Sequence, residues 1–144
     1  MSECEKIRQF IATRDRLGRH LGVELLEVRE GGARARMPVG EIHLNGVNLA
    51  HGAAIFALAD VAFAAAANSH GTVAVAINVS ISFLKAATGG VLYAEARELS
   101  RNPKLGTYTV EVTDEAGELV AIFQGLVYRK KERWEEMVSG EPMR

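Results

Sequence analysis

Between His51 and Asn68 runs a segment that is apolar on every side of a helical wheel. Ala53, Ala54, Ile55, Phe56, Ala57, Leu58, Ala59, Val61, Ala62, Phe63 and Ala64 to Ala67 leave Asp60 as its one ionisable side chain. A helix apolar all round has to be buried on all sides. Its alanine content favours helix and makes a thin cylinder that packs closely. A membrane span is excluded, because Gly52 to Ala67 is only 16 residues with a carboxylate inside it, and a span needs about 20 apolar residues. Asn68-Ser69-His70-Gly71 ends the helix, with Gly71 as its C-terminal cap. The rest of the chain must therefore enclose this helix.

The flanking segments supply strands to do so. Ile7, Phe10, Ile11 and Leu17 fall at helical spacing in residues 3–18 and predict one amphipathic N-terminal helix. From Gly22 the period changes to two. Val23, Leu25 and the Leu26–Val28 pair predict a strand, Glu30-Gly31-Gly32 a turn, and Ala33, Ala35, Met37 and Val39 a second, half-buried strand. Residues 41–50 have no period and read as a loop. After the helix, Val73, Val75, Ile77, Val79, Ile81 and Phe83 alternate with Ala74, Ala76, Asn78, Ser80 and Ser82. Strands over Val91–Leu99, around Tyr108–Val112 and over Leu119–Tyr128 follow, separated by short turns. Helix, two strands, buried helix and four strands predict an α+β fold. Its strands are expected to run as an antiparallel meander, curved round the central helix, which is the hotdog architecture. The organisation is an N-terminal helical segment (1–20), the main domain (21–130) and a charged C-terminal tail (131–144) expected to be a short helix or frayed.

Composition bounds the function. The 144 residues carry 17 basic and 18 acidic side chains, a net charge of −1, so no global field recommends nucleic acid or an anionic membrane. One cysteine, Cys4, permits no internal disulfide and no thiolate metal cage. His20, His43 and His70 show no ligand spacing with a carboxylate or cysteine, so neither metal nor cofactor is expected. The N-terminus has no basic start followed by an apolar stretch, and a cytoplasmic protein is expected.

Chemistry is expected around the central helix. A buried, unpaired Asp60 would cost several kcal/mol, so a compensating role is expected, either catalytic or as a cap on neighbouring backbone. His51-Gly52-Ala53 opens the helix, where unpaired N–H groups and the dipole attract an oxyanion, and glycine admits a ligand to the backbone. His51 reads as a capping or loop-packing residue, or as an acid or base. Asn45 reads as a turn residue with Gly46, or as an amide that orients a water or carbonyl.

The run from Leu44 to Ala64 resembles the signature of the PaaI-type hotdog thioesterases. That pattern is an asparagine (Asn45), a His-Gly-Gly turn six residues later, and an aspartate (Asp60) eight residues after the first glycine. Asn68-Ser69-His70-Gly71 and Ile81-Ser82-Phe83-Leu84 resemble the family's helix end and following strand. The resemblance implies acyl-CoA hydrolysis, with an aryl or medium-chain acyl group of phenylacetyl type. It implies Asp60 as nucleophile or general base, the Gly52 amide polarising the thioester carbonyl, Asn45 positioning carbonyl or water, and His51 supporting the turn. Two residues depart from the pattern: Ala53 replaces the second glycine at the approach to the helix start, and Ala86 stands where a proline often follows Phe-Leu. Ala76 takes the place of a serine found in related members, so that hydroxyl is missing or replaced by Asn78, Ser80 or Ser82. Arg101, Lys104 and Arg129-Lys130-Lys131 are candidate contacts for coenzyme A phosphates, or a solvated surface.

Spacing adds a constraint of its own. Gly52 and Asp60 are eight residues apart, about 12 Å along a helix. One thioester carbon cannot touch both, because reacting atoms approach within about 3–3.5 Å. If both are catalytic they come from different chains, with two antiparallel helices across a twofold axis. A homodimer with shared sites, paired further into a homotetramer, is the expected assembly. The rival readings are a hydratase or dehydratase using His51 with Asp60, and a non-catalytic acyl-CoA-binding protein.

Overall fold

The computed structural model describes residues 1–138. Helix α1 (Glu3–Arg14) is capped by Ser2, whose hydroxyl accepts from the Glu5 N–H at 3.1 Å, and carries Glu3 and Glu5 in its first turn and Arg14 in its last. The single helix expected over 3–18 is divided in two by Asp15. Its backbone is extended, and its Oδ1 accepts from Gly18 N–H at 2.8 Å, so it ends α1 and caps α2 (Arg16–His20). Past the break Leu17 points to solvent, whereas Ile7 is buried.

Strands β1 (Glu24–Arg29) and β2 (Gly32–Pro38) form a hairpin. A loop with one 3-10 turn (Glu41–His43) leads to the central helix α3 (Gly52–Asn68). Strands β3 (Thr72–Phe83), β4 (Val91–Arg101), β5 (Leu105–Thr113) and β6 (Leu119–Arg133) complete one antiparallel sheet. A short helix, α4 (Trp134–Val138), follows β6. The tail expected to begin at 131 is thus strand as far as Arg133; its last residues, 139–144, lie outside the described residues.

The strand order is β1-β2-β4-β5-β6-β3, which corrects the simple meander. Helix α3 carries the chain across the concave face, so β3 lands at the far edge beside β6, and β4 returns to pair with β2. Only β4, β5 and β6 form a meander. The helix lies close to β2 and β4 because their inner faces are small: Ala33 and Ala35 on one, Ala94 and Ala96 on the other, all fully buried. Larger side chains of β5 and β6, Tyr108, Val110, Val112 and Phe123, fill the rest of the core. Phe63 of α3 sits edge-on to Tyr108 at 5.8 Å and tilted against Phe123 at 5.2 Å.

The uniform alternation expected along β3 is interrupted by a bulge between Ala76 and Asn78. Beyond it Val79 and Ile81 pack on the core. Before it Ala74 does so, while Val75 and Ile77 are 40% and 55% exposed. Strand β3 has one neighbour only, and most of its residues are exposed. The central helix is not buried all round either. Ala53, Phe56, Ala57, Asp60, Ala64 and Asn68 form an incompletely covered stripe. Among the described residues no helix is long and apolar enough to cross a membrane.

Candidate active site

The loop before α3 is tied down by its polar side chains. Asn45 Oδ1 accepts from the N–H groups of Val47 (3.0 Å) and Leu49 (3.1 Å), so the amide oxygen is committed to the turn and only its NH₂ is left for a ligand. Asn48 completes that turn in the left-handed region, φ 63°. His43, buried, accepts from Gly40 N–H at Nδ1 (2.8 Å), which leaves its Nε2–H to donate to the Leu21 carbonyl at 2.6 Å. This clamp from loop to N-terminal segment had no sequence signal beyond a lone histidine.

At the helix start the orphan amides are nearly all claimed. The His51 carbonyl accepts from Ala54 and Ile55, and His51 Nδ1 accepts from Ala53 N–H at 3.0 Å. Among the described residues, Gly52 N–H alone of the first turn has no acceptor. His51 is therefore the N-cap, its Nδ1 unprotonated. The exposed Ala53, at the second-glycine position, presents no free amide.

Above Gly52 lies an aromatic ring that sequence reasoning overlooked. A Cβ on Gly52 would stand 3.0 Å from the Phe83 ring, which is itself 52% exposed. Phe83 ends the apolar series of β3, which was the only clue available. Gly52, Asn45, Ile55, Phe83 and Lys85 border a cavity of about 340 Å³ at the helix start. Lys85 adds no free charge there, since Asp114 at 2.7 Å and Glu118 at 3.2 Å neutralise it.

Asp60 stands two turns further along α3, half-buried, and no hydrogen bond or ion pair to it occurs among the described residues. Burial away from water, and then the negative charge of Asp15, push its carboxyl above the usual carboxylate range. Among the described residues it caps no backbone group.

Other expected residues lie elsewhere. Asn78, Ser80 and Ser82 alternate with the inward-facing Val79, Ile81 and Phe83, and Asn78 and Ser80 share the outer face with Thr107 and Gln124. Within the subunit they are across the sheet from Asp60, so none replaces the hydroxyl missing at Ala76. Arg101 and Lys104 sit at the β4–β5 turn; Arg101 Nε is 3.9 Å from Glu98, and Lys104 has no ion pair among the described residues. No cluster among the described residues could hold a metal ion.

A curved antiparallel sheet round one helix, with a bare amide at the helix start and an unpaired carboxylate at its middle, defines a hotdog enzyme. The profile of the Thioesterase superfamily matches residues 48–121, and the chain belongs to that family, whose chemistry is thioester hydrolysis. A protein of Archaeoglobus fulgidus is 45% identical over 129 residues, covering 89% of this chain and 84% of its own. The acyl-coenzyme A thioesterase PaaI of Escherichia coli is 36% identical over 116 residues, 80% of this chain and 83% of its own. Its solved structure superposes with a TM-score of 0.87, covering 91% of this chain and 96% of that one at 32% identity. A Streptococcus mutans structure bound to acetyl-CoA matches with a TM-score of 0.74 at 25% identity, covering 77% and 90%.

Proposed function

We propose that the protein hydrolyses acyl-CoA thioesters to a free acid and coenzyme A, in sites shared between two copies of the chain. One observation carries this reading: a single helix presents an unclaimed N–H at Gly52 and an unpaired carboxylate at Asp60, too far apart to serve one carbonyl. Two α3 helices running antiparallel bring Gly52 of one copy opposite Asp60 of the other. The first part of the uncovered stripe of α3, from Ala53 to Asp60, and the one-sided β3 edge supply the surfaces for that pairing, each continuing into its counterpart. Association of such dimers into a tetramer belongs to the same reading.

In the shared site Gly52 N–H donates to the thioester oxygen, assisted by the positive end of the helix dipole. Asp60 of the partner attacks the carbonyl carbon or takes a proton from a water that does so. In either course the C–S bond breaks, and the thiolate leaves and is protonated as coenzyme A. An attack by Asp60 leaves a mixed anhydride that water then hydrolyses, freeing the acid and restoring Asp60, whereas general-base attack puts the water oxygen directly into the acid. The Asn45 NH₂, its amide oxygen being spent on the turn, holds the carbonyl or water in this reading. The phosphates of coenzyme A are expected near Arg101 and Lys104, and the pantetheine arm beside Phe83. A phenylacetyl-type or medium-chain acyl group follows from the likeness to PaaI.

Thiol release measured over a panel of acyl-CoA esters tests this. The wild-type protein should liberate free thiol, and Asp60→Asn should slow it by at least about 100-fold. Loss of enoyl absorbance without thiol would instead mean hydration. The geometry disfavours that outcome, because the His51 imidazole is engaged as a cap.

A further inference from the structure

A second, mostly apolar opening lies away from the helix start, beside the second half of α3. A cleft of about 450 Å³ is walled by Ile7, Phe10 and Ile11 of α1, Ala64 of α3, Val73 of β3 and Trp134 of α4. That volume falls in the range of about 300–1,000 Å³ usual for small-molecule sites. Most of these walls lie outside residues 48–121, the part matched by the family profile.

Three observations fix what the cleft would hold. It begins one helical turn from Asp60: Ala64 is four residues on, and a helical side chain covers the surface beside the turn before it. Most of its lining is apolar, Arg14 and Asp15 at the end of α1 completing it, and the polar residue facing it from α3 is spent internally. Asn68 Nδ2 donates to the Ala64 carbonyl at 2.8 Å and its Oδ1 accepts from Ala74 N–H at 3.0 Å. The far wall is held by ring packing and by one backbone hydrogen bond, from Trp134 N–H to the Gly71 carbonyl at 3.2 Å. Trp134 tilts against Phe10 with centroids 4.6 Å apart, and its buried Nε1–H has no acceptor among the described residues.

We infer that this cleft is the acyl pocket of the site around Asp60, taking an uncharged apolar acyl group. Ala64, Phe10, Ile11 and Trp134 then set its length and shape. The inference rests on the proposed acyl-CoA hydrolysis, and deepens it by assigning acyl selectivity to the N-terminal helix and α4. In this assignment the thioester carbon sits at Asp60, one helical turn before Ala64, and the chain beyond that carbon runs between α1 and α3. Short acyl groups would leave the cleft empty and gain nothing from it.

Trp134 is the one tryptophan in the chain, so its fluorescence reads the cleft without reference to turnover. Titration with octyl-CoA, a thioether that cannot be hydrolysed, should shift the emission saturably, and coenzyme A alone should not. The cleft-filling Ala64→Leu should abolish that shift. It should also lower the kcat/KM ratio for octanoyl-CoA over acetyl-CoA by at least about tenfold, while the Ile11→Ala variant shifts preference toward longer chains. An unchanged ratio in both variants, or the same emission change with coenzyme A alone, would overturn the inference. So would emission that responds to protein dilution and not to octyl-CoA, which would make the cleft an interface with a second copy. Failure of the hydrolytic reading looks different: no acyl-CoA would release thiol with the wild-type protein, whatever Trp134 reports.

Discussion

Asp60 is placed where it costs stability. Its carboxyl is pushed up by burial first and by Asp15 second, so ionisation is harder in the folded chain than in the unfolded one. The penalty is absent below the ordinary carboxylate range, grows as pH rises from there to the raised folded value, and persists above it. Asp60→Asn should therefore melt higher than wild type at neutral pH, with the difference vanishing by about pH 3, although its hydrolysis is lost. Thermal melts at both pH values check the sign. The wild-type activity should correspondingly switch on with a midpoint above that of a free aspartate. His51 offers a separate test, since it caps α3 through Nδ1. His51→Ala should cost about 1 kcal/mol in denaturant melts, and His51→Asn, a good cap, should restore most of it. Activity within a few-fold of wild type in His51→Asn would confine the imidazole to capping. The sequence pointed to Asp60, Gly52 and His51 because ionisable and glycine residues stand out in an alanine-rich run. Phe83 did not, because a terminal phenylalanine in an alternating strand looks like any core residue.

At the scale of elements, what was legible depended on local period. Helix α3 and all six strands were readable from spacing alone, within three residues at their ends except for β6, which runs on from the expected Tyr128 to Arg133. Three features were not. Asp15 splits the N-terminal helix with a side-chain hydrogen bond that competes with the helical backbone. The bulge at Ala76–Asn78 turns β3 over without altering its alternating sequence. The placement of β3 beside β6 is decided by the path of α3 across the sheet, which no local pattern encodes. The contact of α3 with that sheet is close enough to be tested at one point. A Cβ on Gly125 of β6 would come within 2.4 Å of the Phe63 ring, and that ring is itself wedged against Tyr108 and Phe123. Gly125→Ala should lower unfolding stability by about 1–3 kcal/mol through overpacking. The paired variant Gly125→Ala/Phe63→Leu should recover part of it, because the obstructing ring is gone. Chemical denaturation of the four proteins in the cycle measures the coupling.

At the scale of the whole molecule, the proposed roles of Gly52 and Asp60, eight residues apart on one helix, would make activity a property of two chains. Two differently damaged proteins should then rescue each other. Asp60→Asn removes the carboxylate and leaves the helix start intact. Gly52→Val blocks carbonyl approach to the amide, and the exposed Phe83 ring that a Cβ would meet has room to swing away, so the fold should survive. In a mixed dimer one site receives Asp60 from the Gly52→Val chain and Gly52 from the Asp60→Asn chain, and is whole; the other carries both defects. Random re-pairing of equal amounts gives about half mixed dimers, each with one working site, so activity should return to roughly a quarter of wild type from two nearly inactive parents. Thiol release after subunit exchange measures it, with exchange followed independently by tagging one parent. If the mixed species forms and no activity returns, Gly52 and Asp60 do not meet across the twofold axis.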